Sequence, residues 1–173
     1  NPKAGIQYKL TPNVNLFASY NRGFRTGGIT QLSGDPREAL QIYKPEASNN
    51  FEIGSKNMFL ENRLRLNLSA FYTFVNNAQV PTLLLPDAIT VTQNVGELES
   101  KGIELESNFI FTKNLELNYS FGFTDAKYRE LNLPDNGSIQ TFRNNKQLFT
   151  PNVTSMLATQ YNLLLASKNK VFA

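Results

Sequence analysis

The sequence predicts an all-β protein: an antiparallel up-and-down transmembrane β-barrel, with about seven or eight strands in this chain. Three observations carry the prediction. Apolar and polar residues alternate with a period of two almost throughout. The alternating runs are longer than the strands of globular proteins. Short turns and long connections alternate between those runs.

The alternation is clearest in "RLRLNLSAFYTF", where Leu64, Leu66, Leu68, Ala70, Tyr72 and Phe74 fall on one face, against Arg65, Asn67 and Ser69 on the other. In "NLELNYSFGF", Leu115, Leu117, Tyr119, Phe121 and Phe123 oppose Glu116, Asn118, Ser120 and Gly122. In "IELESNF", Ile103, Leu105 and Phe109 oppose Glu104, Glu106 and Asn108. Successive side chains of a strand point to opposite faces, so each of these segments has one greasy and one wet side. The expected strands are 3–10, 14–25, 46–59, 63–77, 91–110, 115–128 and 152–165, with 171–173 opening an eighth. Strands of about 9–11 residues or more suit a tilted bilayer crossing.

The turns repeat. "LTPNVNL", "FLENRLRL", "FTKNLEL" and "ASKNKVF" each set an asparagine between apolar residues, at Asn13, Asn62, Asn114 and Asn169. Asparagine tolerates the left-handed backbone that tight turns use. Between these turns lie long connections at 26–44, 78–90 and 129–150. Short turns at one end and long loops at the other are the pattern of a membrane barrel. A soluble two-sheet module that binds carbohydrate or another ligand is the alternative, with shorter strands and no such asymmetry.

Composition removes other classes. The chain of 173 residues has no cysteine and no histidine. Thiolate chemistry, imidazole or thiolate metal sites and histidine-dependent triads are excluded within it. No metal site and no cofactor are expected. The net charge is +3, with cations scattered along the chain, so no nucleic-acid footprint is present. No apolar run is long enough for a transmembrane helix. "NPKAGIQYKL" has neither the charged nor the apolar region of a signal peptide, so either the protein is cytosolic or these residues are an internal piece of a longer one.

Four motifs sharpen the reading. "YNRGFRTGG" (Tyr20 to Gly28), "PEASNNFEIGSK" (Pro45 to Lys56), "LNLSAFYTFVNNAQ" (Leu66 to Gln79) and "NVGELESKGIELES" (Asn94 to Ser107) occur in this order. Together they resemble successive strands of the TonB-dependent outer-membrane receptor barrel, over most of the chain up to about Tyr128. The resemblance implies a barrel of about 22 strands with a plugged lumen. It implies active uptake of a scarce ligand, most often a ferric siderophore, with other members taking cobalamin, haem or oligosaccharides. It makes residues 1–173 part of the barrel domain in its C-terminal half, without the plug domain that meets TonB. Its implied surroundings are outer-membrane lipid and the bacterial outer membrane.

On that reading, Arg22 and Arg25 lie near the outer rim, where a charge costs little. Gly23 marks a bulge or a close approach of the plug, and Gly27 and Gly28 release the chain into a loop. Arg25, Arg37, Tyr43 and Arg143 are the candidate ligand contacts, since cationic and aromatic groups suit an anionic ferric chelate. Glu52, Lys56, Glu104 and Glu106 are expected to face the lumen, the carboxylates pairing with Lys101, Lys56 or Arg65. Glu104 and Glu106 share a strand face roughly 7 Å apart, a separation that also fits a glycosidase pair. The lumen reading makes the chain no enzyme. Phe17, Tyr20, Phe24, Tyr72, Phe74, Tyr119, Phe121 and Tyr128 are read as lipid contacts and girdle. The apolar connection "PTLLLPDAI" has no account from sequence.

Overall fold

The computed structural model describes residues 1–30, 42–84, 89–135, 138–164 and 170–172. Its strands are β1 (Lys3–Thr11), β2 (Val14–Arg25), β3 (Gly28–Ile29), β4 (Ile42–Tyr43), β5 (Glu46–Phe59), β6 (Leu64–Leu84), β7 (Ile89–Ile110), β8 (Leu115–Asp135), β9 (Ser138–Phe142), β10 (Asn145–Lys146), β11 (Val153–Leu164) and β12 (Lys170–Phe172). One sheet carries the order β1-β2-β5-β6-β7-β8-β11-β12, every pair antiparallel, with β9 and β10 paired to β8. The short ribbon β3–β4 lies within the connection between β2 and β5. Among the described residues no helix is long and apolar enough to cross a membrane.

The register keeps the alternation in phase across the whole sheet. Ala18 pairs with Ile53, Ile53 with Ala70, Ala70 with Ile103 and Ile103 with Phe123. One position along, Phe17, Gly54, Ser69, Glu104 and Gly122 form the matching row on the other face. A single layer with one apolar and one polar face results. Leu64, Leu66 and Leu117 remain half-exposed, and Leu68 and Tyr119 are exposed. No second sheet covers the wall among the described residues, so the two-sheet alternative lacks its core.

Two of the expected long connections, 78–90 and 129–150, are mostly strand over their described residues. β6 and β7 run on to the pairs Val80–Gln93, Pro81–Thr92 and Leu83–Thr90, and β8 runs on to Asp135. Lengths reach 21, 22 and 21 residues for β6, β7 and β8. Extending the ladder satisfies backbone donors and acceptors that a bare loop would leave to water. The β-branched residues Val80, Thr82, Thr90, Val91 and Thr92 favour that choice. "PTLLLPDAI" is thus the distal part of the β6–β7 hairpin, with 85–88 outside the described residues.

Of the three predicted turns that are described, only one uses left-handed asparagine. Leu60, Glu61 and Asn62 have φ of 53°, 55° and 68°, and the Arg63 amide donates to the Leu60 carbonyl at 3.1 Å. Asn13 and Asn114 do not have positive φ. Their turns are closed by threonine hydroxyls instead: Thr11 Oγ1 accepts from the Asn13 amide, and Thr112 Oγ1 from the amides of Asn114 and Leu115, at 3.2, 3.2 and 3.0 Å. Asn169 lies outside the described residues.

Among the described residues the core lies at the long-connection end, where the segment around Thr30 meets the β6–β7 hairpin. Val91 is fully buried, with Ala78, Val95 and Ala126 close behind. Two irregularities bend β6 against β7 here. They fall between the pairs Val75–Leu98, Ala78–Gly96 and Gln79–Asn94, and Asn77 takes φ 54°.

Candidate functional site

The polar face is built by the odd or even members of each strand as the register dictates. Glu52 pairs with Ser19 and Phe71, Lys56 with Asn15 and Asn67, Glu104 with Ser69 and Gly122, and Glu106 with Asn67 and Ser120. All four charged residues therefore share one face. The expected pairing among them does not form. Glu106 accepts from Asn67 Nδ2 at 3.4 Å, while Lys56 Nζ sits 5.5 Å from the centre of the Phe17 ring. Lys101 stands on the opposite face, because an odd residue of β7 cannot share a side with Glu104 and Glu106; it pairs with Glu99 at 3.7 Å. Near the short turns, Lys9, Lys56 and Arg65 border a depression of ≈ 710 Å³.

Two aromatics read as outward also change sides. Phe17 lies on the polar face with its ring over Gly54, and Tyr128 pairs with Leu98 on that same face. Phe71 likewise covers Gly102. A glycine leaves room for a cross-strand ring to lie flat on the backbone, so these pairs smooth the polar face. Tyr20, Tyr72, Phe74, Tyr119 and Phe121 do occupy the apolar face, Tyr20 and Phe51 stacking at 5.0 Å.

The long-connection end holds the remaining candidates. Arg25 and Glu46 are register partners and form an ion pair at 3.9 Å. Tyr43 lies in β4, its ring against Gly28. Gly28 therefore starts a ribbon instead of releasing the chain. Gly23 pairs regularly with Ser48, so there is no bulge at this point. Arg143 pairs with Glu130 at 3.5 Å, and Arg37 lies outside the described residues. Arg22 and Arg25 both reach this end, but alternation sends them to opposite faces.

A hydrogen-bonded knot that sequence reasoning missed holds this rim together. The Gln79 side chain, almost fully buried, donates from Nε2 to the carbonyls of Thr26 and Lys44, both at 3.0 Å. Its amide donates to Glu46 Oε2 at 2.7 Å. Asn94 Oδ1 accepts from the Lys44 amide at 2.6 Å, and Asn94 Nδ2 donates to the Lys44 and Asn77 carbonyls at 2.9 and 2.8 Å. Both roots of the connection between β2 and β5 are thereby tied to the β6–β7 hairpin. Glutamine in "NNAQVP" and asparagine in "TQNVGE" were the available signals, but neither stands out in a polar strand.

With a single-layer wall and a knotted rim established, the comparisons are specific. Residues 1–168 match the family described as TonB dependent receptor-like, β-barrel. The chain belongs to the TonB-dependent receptor β-barrel family. It is 33% identical over 169 residues to the probable TonB-dependent siderophore receptor PiuA of Acinetobacter baumannii, covering 91% of this chain and 21% of that protein. It is 29% identical to the metal-pseudopaline receptor CntO of Pseudomonas aeruginosa, covering 73% of this chain and 16% of that one. In fold it resembles the ferric yersiniabactin uptake receptor FyuA from Yersinia pestis, with TM-score 0.74, 16% identity, 95% of this chain and 23% of that chain. The chain spans about a fifth of the length of the TonB-dependent receptors it matches. The family resides in the bacterial outer membrane and consists of receptors and transporters, not enzymes.

Proposed function

We propose that this chain is part of the barrel wall of an outer-membrane receptor that binds a ferric siderophore or a similar chelate and imports it with energy supplied through TonB. The observation that carries the reading is the family match over residues 1–168, on a wall with one mainly apolar face and one polar face. The names of the relatives, a siderophore receptor and a metal-pseudopaline receptor, support an anionic metal chelate as cargo. The polar face is then the lumen, where Glu52, Lys56, Glu104 and Glu106 stand, and a plug domain outside this chain fills it and meets TonB.

Arg25, Tyr43 and Arg143 contact the chelate at the rim, and Arg37, outside the described residues, is a further contact. Chelates of this kind offer carboxylate, catecholate or hydroxamate oxygens, which guanidinium groups bind through paired N–H donors.

The test is uptake of ⁵⁵Fe-siderophore by cells carrying the full-length receptor as their only high-affinity iron importer. Accumulation that vanishes when TonB is deleted supports the proposal. A receptor that resides in the outer membrane but takes up no ferric chelate from a broad panel overturns the cargo assignment.

A further inference from the structure

The greasy surface of the apolar face ends abruptly at an organised group of charges. Ile103 and Phe123 are register partners, and the next outward pair is Lys101 and Asp125. On β8 the apolar outward run from Leu115 to Phe123 covers roughly 20 Å of depth at a ~40° strand tilt. The charges thus begin at the edge of a hydrocarbon layer, on the side of the long connections.

Glu99 is the centre of this group. Its carboxylate, only 13% exposed, lies 3.7 Å from Lys101 Nζ, 4.0 Å from Lys127 Nζ and 3.8 Å from Arg129 Nε, and it accepts from the Tyr72 hydroxyl at 3.1 Å. Arg129 is placed by a β-bulge: Glu97 pairs with Glu130 and Leu98 with Tyr128, leaving Arg129 as the extra residue. A bulge re-aims a side chain. Here the guanidinium comes over the Phe74 ring, 5.6 Å from its centre, on the outward face.

The three cations are held near Glu99 but not consumed by it. Charge-assisted hydrogen bonds run to about 2.7–2.9 Å, and all three separations are longer. Among the described residues none of the three side chains donates a hydrogen bond within the protein. Two ammonium groups and a guanidinium therefore keep most of their N–H donors for a partner. The three cations face the carboxylates of Glu99 and Asp125, and the next row outward adds Glu97 and Glu130, the latter paired with Arg143, so the group keeps a positive excess only once Arg22 is counted with it. Arg22 is exposed and lies in the same lateral row as Glu99 and Lys127.

We propose that Lys101, Lys127 and Arg129 form a binding site for the phosphate of an anionic lipid headgroup in the outer leaflet, with Glu99 holding the three cations at one spacing. The acyl chains of that lipid lie along Ile103 and Phe123, directly below. The inference rests on the outer-membrane reading above. It concerns the outside of the wall and not the path of the chelate.

The test uses the detergent-purified full-length receptor and native mass spectrometry, with two probes: a bisphosphorylated glycolipid (lipid A) and a phosphatidylcholine of matched chain length. The wild type should retain the phosphorylated lipid in preference. Each cation removed should lower retention roughly fivefold, and K101Q/K127Q/R129Q by more than tenfold. Should the triple variant fail to fold, Lys101→Gln and Lys127→Gln singly carry the same expectation. Glu99→Gln should retain the lipid at least as well as wild type, since it removes a competing carboxylate. Equal retention by wild type and folded cation variants overturns the proposal. So does occupancy by inorganic phosphate alone that blocks lipid retention equally well, because the site would then not be a lipid site. A receptor absent from the membrane fraction would instead defeat the underlying reading; one that is present and shows no lipid preference defeats only this inference.

Discussion

The Phe71 ring lies across Gly102 on the adjacent strand, so close that a Cβ at Gly102 would stand 2.7 Å from Phe71 Cζ. The wall is only one layer thick, yet at this position it is tightly filled. Gly102→Ala should destabilise the folded barrel by about 1–3 kcal/mol. Gly122→Ala meets only the Thr154 hydroxyl at 2.7 Å, the end of a side chain that can rotate, and should cost under ~1 kcal/mol. Urea unfolding of the full-length receptor in detergent checks the contrast.

Gln79 ties Thr26 and Lys44 to the β6–β7 hairpin. Gln79→Ala leaves two carbonyls without that donor and should cost about 1–3 kcal/mol locally. The loss should appear as faster proteolysis and hydrogen exchange around 26–30 and 42–45, with exchange in β7 and β8 unchanged. Uniform acceleration across the wall would contradict this placement of the knot.

Leu68 is exposed in the middle of the apolar face, and Asn67 beside it points to the polar face. Leu68→Arg should cost about 2–4 kcal/mol in a bilayer, as for a charge at mid-depth on a lipid face. Asn67→Arg should change stability by under ~1 kcal/mol, its side chain remaining in water. Folding yields into phosphocholine vesicles measure both. Equal yields for the two variants would remove the lipid from the apolar face.

Arg25 and Arg143 have exposed guanidinium groups paired with the half-buried Glu46 and the half-exposed Glu130. Their replacement by alanine should alter stability by at most ~1 kcal/mol. If they touch the chelate, R25A/R143A should weaken its binding by roughly a hundredfold, the loss of about one charge-assisted hydrogen bond from each arginine. Isothermal calorimetry with the iron chelate, beside thermal unfolding of the same variant, separates the two effects.

Asn62 has φ 68°, whereas Asn13 does not have positive φ. Asn62→Ala should therefore cost about 1 kcal/mol and Asn62→Gly very little. Asn13→Ala should be nearly neutral, and Thr11→Val in the same turn should cost more, because Thr11 Oγ1 accepts from the Asn13 amide. Thermal unfolding of the four variants resolves the order.

The strand assignment was legible because alternation is a local property: each side chain's face follows from its neighbours two residues away. Strands 14–25 and 46–59 match β2 and β5 at both ends, and the apolar faces of 63–77 and 115–128 match β6 and β8. Legibility failed where local pattern and partner disagree. Phe17 and Tyr128 are apolar by type but sit on the polar face, Phe17 because Gly54 leaves it a seat there. The charge of Lys101 suggests the wet side, while its odd position places it with Ile103.

By itself, then, the sequence determined that this is a long-stranded, single-layered antiparallel wall with short turns at one end, since period and turn chemistry act over a few residues. Only the tertiary structure decided which residues meet across it. Phe71 reaches Gly102, Gln79 reaches Thr26, and the bulge at Arg129 brings a guanidinium to Glu99. Such encounters join residues tens of positions apart. They depend on register and on single-residue bulges, and a shift of one residue would exchange every side chain between faces.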